Sequence, residues 1–354
     1  MDSLPVGKLE LEYLAQLLAR YAQLDERVLA GAGIGEDATV IDFGDRYLVA
    51  KTDPITFATE EIGWYTVHVN ANDIATTGAE PKWFLVTLLL PEGRTDKALV
   101  ERIFSQLSEA CEQIGVSLCG GHTEVTYGLD RPIVVGQMLG EVARERLVTS
   151  NGTRVGDVIL LTKGVAVEGT AIIARERGSE LADEYPSDFL ARCRNFLRDP
   201  GISILPEVRI ALRTAQVHAM HDPTEGGLAT GLWELAQASG VGLYIDQAAI
   251  PILPETAALC ARYGLNPLGV IASGSLLLAL ASQDAQPVID ALASEGIPAT
   301  AIGEVVPREE GLTLVVDSQA QELPRFEPDE IARLFAELDS PSKPNNSLAP
   351  GRCR

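Results

Sequence analysis

The chain has 354 residues, is 46% hydrophobic and carries a formal net charge of -22, from 28 Lys and Arg against 50 Asp and Glu. That length suggests about two domains, and the apolar content is ample for real cores. The acidity excludes non-specific nucleic-acid binding, which needs a basic surface, but not ATP, whose phosphates Mg²⁺ neutralises.

Leu14, Leu17, Leu18 and Tyr21 fall at i, i+3, i+4 and i+7 and predict an amphipathic opening helix. Ala38–Phe43 and Tyr47–Lys51, joined by Gly44-Asp45, read as a hairpin. A helix is expected over Glu60 to Thr77, stopped by Ala79-Glu80-Pro81, and a strand over Trp83–Leu90. Asp96 to Ile114 reads as a helix with Leu99, Val100, Ile103, Phe104, Leu107 and Cys111 on one face. Val116–Cys119 and Ile133–Leu139 complete an α+β first half.

A polar, turn-rich stretch, Asn151 to Asp157, marks a boundary near 150–157. It separates an N-terminal domain over 1–152 from a C-terminal domain over 153–339. The pattern then restarts with strand Val158–Thr162 and a helix from Gly169 to Arg177. A Pro-punctuated polar segment, helices from near Pro206 and over Gly227 to Ala238, and strands Leu243–Ile245 and Ser275–Ala279 follow. This alternation suggests an α/β second half. The tail, 340–354, is polar and Pro-rich and is expected to be disordered when alone.

Cysteines 111, 119, 193, 260 and 353 form no C-x-x-C pair, and their odd number fits a reduced thiol set. The start shows no basic region followed by an apolar run. The longest apolar stretch, Leu268 to Ala281, is too short and interrupted to span a bilayer. A cytoplasmic protein is expected. No P-loop, Rossmann fingerprint or G-x-S-x-G elbow occurs. Four histidines without H-x-x-x-H spacing give no zinc signature.

The chemistry-bearing signal is a set of acidic segments set among small residues. They are Gly35-Glu36-Asp37-Ala38, Thr52-Asp53-Pro54, Asn72-Asp73-Ile74-Ala75 and the run from His221 through Asp222 to Gly226-Gly227. A fifth, Gly120-Gly121-His122-Thr123-Glu124, has His where the pattern suggests Asp. Carboxylates on turns suit Mg²⁺, which uses a few of them plus nucleotide phosphates. Asp37, Asp53, Asp73 and Asp222 are therefore candidate metal ligands. Taken singly, Asp53 also fits plain Asp-Pro turn chemistry, and Asp222 an ordinary helix cap. Asn70 and Asp73 share one helix face. With Asn72 they either contact Mg²⁺ and phosphate or form a buried hydrogen-bond network. Gly226-Gly227 opens a helix whose N-terminus can receive phosphate oxygens. Gly120, Gly121 and Thr123 allow close backbone approach to a ligand around His122. Lys51 and Lys163 are further phosphate contacts, although a lone lysine is usually a solvated side chain.

In order and spacing these segments resemble the superfamily of aminoimidazole ribonucleotide synthase, selenophosphate synthetase, thiamine monophosphate kinase and the hydrogenase maturation factor HypE. The likeness runs from about Gly31 to Gly303. Asp222-Pro-Thr-Glu-Gly-Gly-Leu-Ala-Thr and Gly169-Thr-Ala-Ile-Ile-Ala are most similar to HypE. The resemblance implies a two-domain PurM-like protomer that binds ATP and Mg²⁺ and forms a homodimer through its N-terminal domain. It further implies that ATP activates an oxygen of the acceptor by phosphorylation. In HypE proper this dehydrates a thiocarbamate on the C-terminal cysteine to a thiocyanate. Asp73 and His122 would then be catalytic, Cys353 the carrier thiol, and the carbamoyltransferase HypF and a HypC/HypD-type assembly the partners. Two departures stand out. His122 replaces the Asp of HypE, and the chain reads Gly351-Arg352-Cys353-Arg354 where HypE ends Pro-Arg-Ile-Cys. A small-molecule kinase like the thiamine enzyme, or a non-catalytic nucleotide-binding protein, are the alternatives.

Overall fold

The computed structural model describes residues 9, 11–22, 25–31, 38–56 and 60–339. Asp37, Cys353 and the 340–354 tail lie outside these. The first half runs α1 (Leu11–Tyr21), β1 (Val28–Ala30), β2 (Thr39–Asp42), β3 (Arg46–Ile55), α2 (Ile62–Thr76), β4 (Glu80–Pro91), α3 (Lys97–Ile114), β5 (Ser117–Thr126) and β6 (Ile133–Ala143). Its sheet has the order β1-β2-β3-β6-β4-β5. The β2–β3 hairpin is present, and β4 pairs with β5 in parallel across the α3 crossover.

α3 is delimited by its ends. Asp96 accepts a bond from Leu99 N at 2.7 Å as N-cap, and Gly115 takes the left-handed conformation beyond the C-terminus. Ile103, Leu107 and Cys111 are buried as expected, but Phe104 turns partly to solvent. α2 is buried along its whole length, between the sheet, α3 and the second half. It reaches the sheet because β6 carries glycine beneath it. A Cβ at Gly136 would lie 2.4 Å from Asn70 Nδ2, and one at Gly140 2.4 Å from Ile74.

The Gly120–Glu124 segment, expected as a turn, is strand. It lies in β5, the exposed edge of the sheet. Glycines of positive φ there allow close pairing, since a Cβ on Gly121 would meet Val86 O at 1.8 Å.

The second half runs β7 (Asp157–Thr162), α4 (Val167–Glu176), α5 (Gly178–Leu181), α6 (Ser187–Asn195), α7 (Leu205–Thr214), β8 (Val217–His221), α8 (Gly227–Ser239), β9 (Gly242–Asp246), α9 (Pro254–Tyr263), β10 (Leu277–Ala281), α10 (Ser282–Ser294), β11 (Ala299–Val306), β12 (Leu312–Val316), β13 (Gln319–Glu322) and α11 (Glu330–Asp339). Its sheet order is β13-β12-β9-β11-β7-β10-β8. Only the β9–β12 pairing is parallel. α10 joins β10 to β11 across β7, so the strand between them runs oppositely. Both halves are therefore α+β, in place of the α/β expected for the second.

Arginines of the second half pair with glutamates of the first: Arg175 with Glu60, Arg198 with Glu61 and Arg209 with Glu80. No helix among the described residues is long and apolar enough to cross a membrane.

Candidate nucleotide and metal site

Strand β3 and helix α2 build the centre of the site together. Lys51 and Asp53 are two apart on β3 and so face the same way. Asn70 locks Asp53 in place. Its Oδ1 accepts from Asp53 N at 2.9 Å, and its Nδ2 donates to Asp53 O at 3.3 Å and to Thr66 O at 2.8 Å. Thr52 Oγ1 donates to Gly136 O at 2.8 Å, tying β3 further to β6. Asp73, one helical turn from Asn70, then reaches the same point as Asp53. Lys51 Nζ lies 3.3 Å from Asp53 Oδ2 and 3.4 Å from Asp73 Oδ2. Asp73 is almost fully buried and Asp53 about one-third exposed. The two carboxylates thus converge on one cation, with oxygen donors of the kind Mg²⁺ takes.

The asparagines have other uses than ligand contact. Asn70 and Asn72 are both fully buried, and their amides bond main chain. Asn72 Nδ2 donates to Ile202 O at 2.8 Å and its Oδ1 accepts from Ile204 N at 3.1 Å, so it ties α2 to the second half. The buried-network alternative describes both. Both ends of the Asn72 amide, for which a cofactor contact was expected, are engaged with main chain of the second half.

His122 stands on exposed β5, its Nε2 3.1 Å from Glu124 Oε2. β3, β6, β4 and β5 are successive neighbours, so His122 lies about 14 Å from Asp53, three strand spacings away. Gly120, Gly121 and Thr123 share that edge. Within one chain this group does not join Asp53 and Asp73.

Asp222 is buried at the end of β8, a strand in contact with α2. The turn behind it closes on its own main chain, with Gly227 N donating to Thr224 O. Gly226 N donates to Asp329 Oδ2 at 2.7 Å. A carboxylate of this chain therefore fills the Gly226 amide on which a phosphate oxygen was expected. Gly227 keeps a positive φ and packs so closely that a Cβ would lie 2.5 Å from Leu268 O. Among the described residues no three His, Cys, Asp or Glu side chains form a metal cluster. Lys163 is buried, donating to Gly201 O and Ser203 O and paired with Glu207 at 2.6 Å. Those bonds occupy the ammonium for which the sequence offered a phosphate contact.

Several charged residues escaped the sequence reading. Burial pushes the Glu168 carboxyl up to about 7, opposed by hydrogen bonds from Ser273 and aided by the nearby charges of Glu225 and Asp329. Burial also raises Asp329 to about 7, against the amides of Gly226 and Ile331. Glu168 had a signal, as the single charge in the run Val165–Ala174. The pairings of His221 with Glu234, 3.0 Å apart, and of Lys163 with Glu207 had none, although His221 and Lys163 themselves were singled out, since the partners are distant in sequence. Burial raises the thiols of Cys111, Cys193 and Cys260 to about 12, which keeps them protonated at neutral pH.

Comparison with known proteins agrees with this architecture. Residues 35–142 match the N-terminal domain model of AIR synthase related protein, and residues 154–315 match its C-terminal domain model. The carbamoyl dehydratase HypE of Cupriavidus necator is 34% identical over 282 residues, covering 77% of each chain. The HypE of Rhodobacter capsulatus is 30% identical over 292 residues, covering 81% of this chain and 82% of its own. Among solved structures, a HypE in complex with ATP superposes with a TM-score of 0.69 at 24% identity, over 90% of this chain and 91% of that one. A chain of a HypE–HypF complex gives 0.72 at 21%, over 88% and 99%. The thiamine monophosphate kinase of Aquifex aeolicus gives 0.66 at 22%, over 89% and 100%. At these identities the superpositions speak for the fold, and the sequence matches for the family: the chain belongs to the HypE family of AIR synthase related proteins.

Proposed function

We propose that this chain is an ATP-dependent carbamoyl dehydratase of hydrogenase maturation. Family membership supports the reaction class. The observation that carries the reading is the convergence of Asp53 and Asp73 on Lys51, held by the Asn70 clamp. In the reaction the carbamoyl oxygen attacks the γ-phosphorus of ATP and displaces ADP, while one N–H proton leaves. The phosphate then departs with that oxygen, the second N–H proton is lost, and a C≡N group remains. Such transfers rest on positioning and charge neutralisation rather than covalent work by the protein.

Mg²⁺ suits the donor set, and Asp53, Asp73, Asp222 and Asp37 are the residues that would hold it. When bound it neutralises phosphate charge. Two convergent carboxylates are few, which fits an ion that completes its shell with phosphates and water. Lys51, relieved of balancing both acids, is placed to meet a phosphate oxygen. Carboxylate desolvation by α2 and the sheet strengthens these contacts.

The reading includes a homodimer formed through the first sheet. Its support is β5, an exposed edge strand followed by Tyr127, which is 85% exposed. A second copy would be the route by which His122 and the Gly120-Gly121 edge reach a nucleotide. HypF is the carbamoyl donor's enzyme in this reading, a HypC/HypD-type assembly the acceptor, and Cys353 the carrier thiol. ATP turnover that appears only with HypF and carbamoyl phosphate is the expected result. Turnover independent of both would point to a small-molecule kinase instead.

A further inference from the structure

We infer that the His221–Glu234 pair is a positioning device for the Asp222 carboxylate. The inference rests on the reading that Asp222 serves Mg²⁺-ATP.

β8 is otherwise a core strand, with Ala219 and Met220 buried. It ends in a buried histidine whose Nε2 lies 3.0 Å from Glu234 Oε2 on α8. The Glu234 side chain is 14% exposed. An enclosed imidazole–carboxylate pair is costly to desolvate, and an apolar pair of similar volume would serve stability at least as well. This pair stands one peptide bond before Asp222.

Two more constraints meet at the same place. Pro223 follows Asp222 and biases its backbone to the extended region. Pro223 also lies on α8 at Gly231, where a Cβ would come within 2.7 Å of Pro223 Cβ and 3.3 Å of His221 Cδ2. Glu234 is one turn further along the same helix. α8 thus grips the chain on both sides of Asp222: through Glu234 to His221, and through Gly231 to Pro223. Asp222 itself is 1% exposed. With the residues on both flanks held, the Asp222 main chain has one position from which its carboxylate is presented.

The test is calorimetric titration of ATP with and without Mg²⁺ into the full chain and its Asp222→Asn, Glu234→Ala and Glu234→Gln variants. Asp222→Asn and Glu234→Ala should both weaken the Mg²⁺-dependent part of binding, Glu234→Ala by less than Asp222→Asn because it acts through His221. Glu234→Gln keeps an acceptor for the imidazole N–H and should recover most of that loss. Metal-free ATP binding should stay unchanged in the two Glu234 variants, which keep Asp222. A melting midpoint for each variant checks folding. If Glu234→Ala is not recovered folded, Glu234→Asp, one methylene shorter, carries the same expectation. Loss of binding in Asp222→Asn alone, with Glu234→Ala merely less heat-stable, overturns the positioning role. Unchanged binding in Asp222→Asn overturns the reading of Asp222 itself, and the inference with it.

Discussion

Asn72 and Lys163 hold the same four-residue segment from opposite sides. Asn72, on α2, bonds Ile202 O and Ile204 N, while Lys163, beyond β7, bonds Gly201 O and Ser203 O. Lys163 holds the 201–202 peptide group, Asn72 the 202–203 group, and the two share the 203–204 group, Lys163 at its C=O and Asn72 at its N–H. The helix turn that supplies Asp73 to the site is the turn that docks the second half.

Asn72→Ala leaves the two peptide groups it served buried without partners. It should destabilise the fold by roughly 1–3 kcal/mol for each group that water does not reach. Urea unfolding checks this. A midpoint equal to wild type would mean that the segment re-pairs without Asn72.

Lys163 and Glu207 form a buried ion pair, with burial lowering the lysine pKa and Glu207 opposing that shift. Lys163→Met strands the Glu207 charge and should cost about 3–5 kcal/mol. Lys163→Met combined with Glu207→Leu should cost less than the single change. Equal or additive losses in a double-mutant cycle would show that the two charges are not coupled.

Asp53→Asn and Asp73→Asn should each weaken Mg²⁺-dependent ATP binding by about 1–3 kcal/mol, the worth of a charge-assisted contact. Removing either carboxylate also loosens Lys51. Wild-type affinity in both variants, measured by calorimetry, would remove these residues from the site.

The sequence carried the local parts of this arrangement. The α3 stripe, its Asp96 cap and the β2–β3 hairpin are written in spacing and turn residues, so they were legible. The Gly120-Gly121 segment was read as a turn because glycine usually breaks strands, yet here glycine is what the close β4–β5 pairing requires. The residues Asp53, Asn70 and Asp73 could be chosen from their polarity among small neighbours. Their division of labour could not, because it depends on β3 meeting α2 across glycines of β6. Polar side chains in one helix also served two purposes, Asn70 toward the site and Asn72 toward the second half, and spacing alone shows only that they face differently. α6, α9 and α10 went unread, as short or Pro-bearing helices with mixed polar faces.

Glu168 gives a pH-dependent prediction. Its folded-state pKa is raised from 4.5 to about 7, so the folded chain binds the extra proton between those values. Stability from this group is fully present below the lower value and is lost as pH rises toward the upper. Glu168→Gln should therefore gain stability relative to wild type as pH rises through that window, reaching roughly 1–3 kcal/mol at pH 8, the usual cost of an uncompensated buried polar group. Unfolding curves at pH 5 and pH 8 supply the comparison. A difference between variant and wild type that does not change with pH would contradict the assignment.

The most direct test of the central claim is mass spectrometry of the full-length protein after incubation with HypF, carbamoyl phosphate and ATP. The account predicts a carbamoyl adduct on the peptide containing Cys353 when ATP is exhausted, and its conversion to a cyano adduct, by loss of one water, when ATP and Mg²⁺ are present. Asp73→Asn should stop at the carbamoyl stage. An unmodified Cys353 in a protein that still hydrolyses ATP would contradict the dehydratase reading and leave the nucleotide site serving another acceptor.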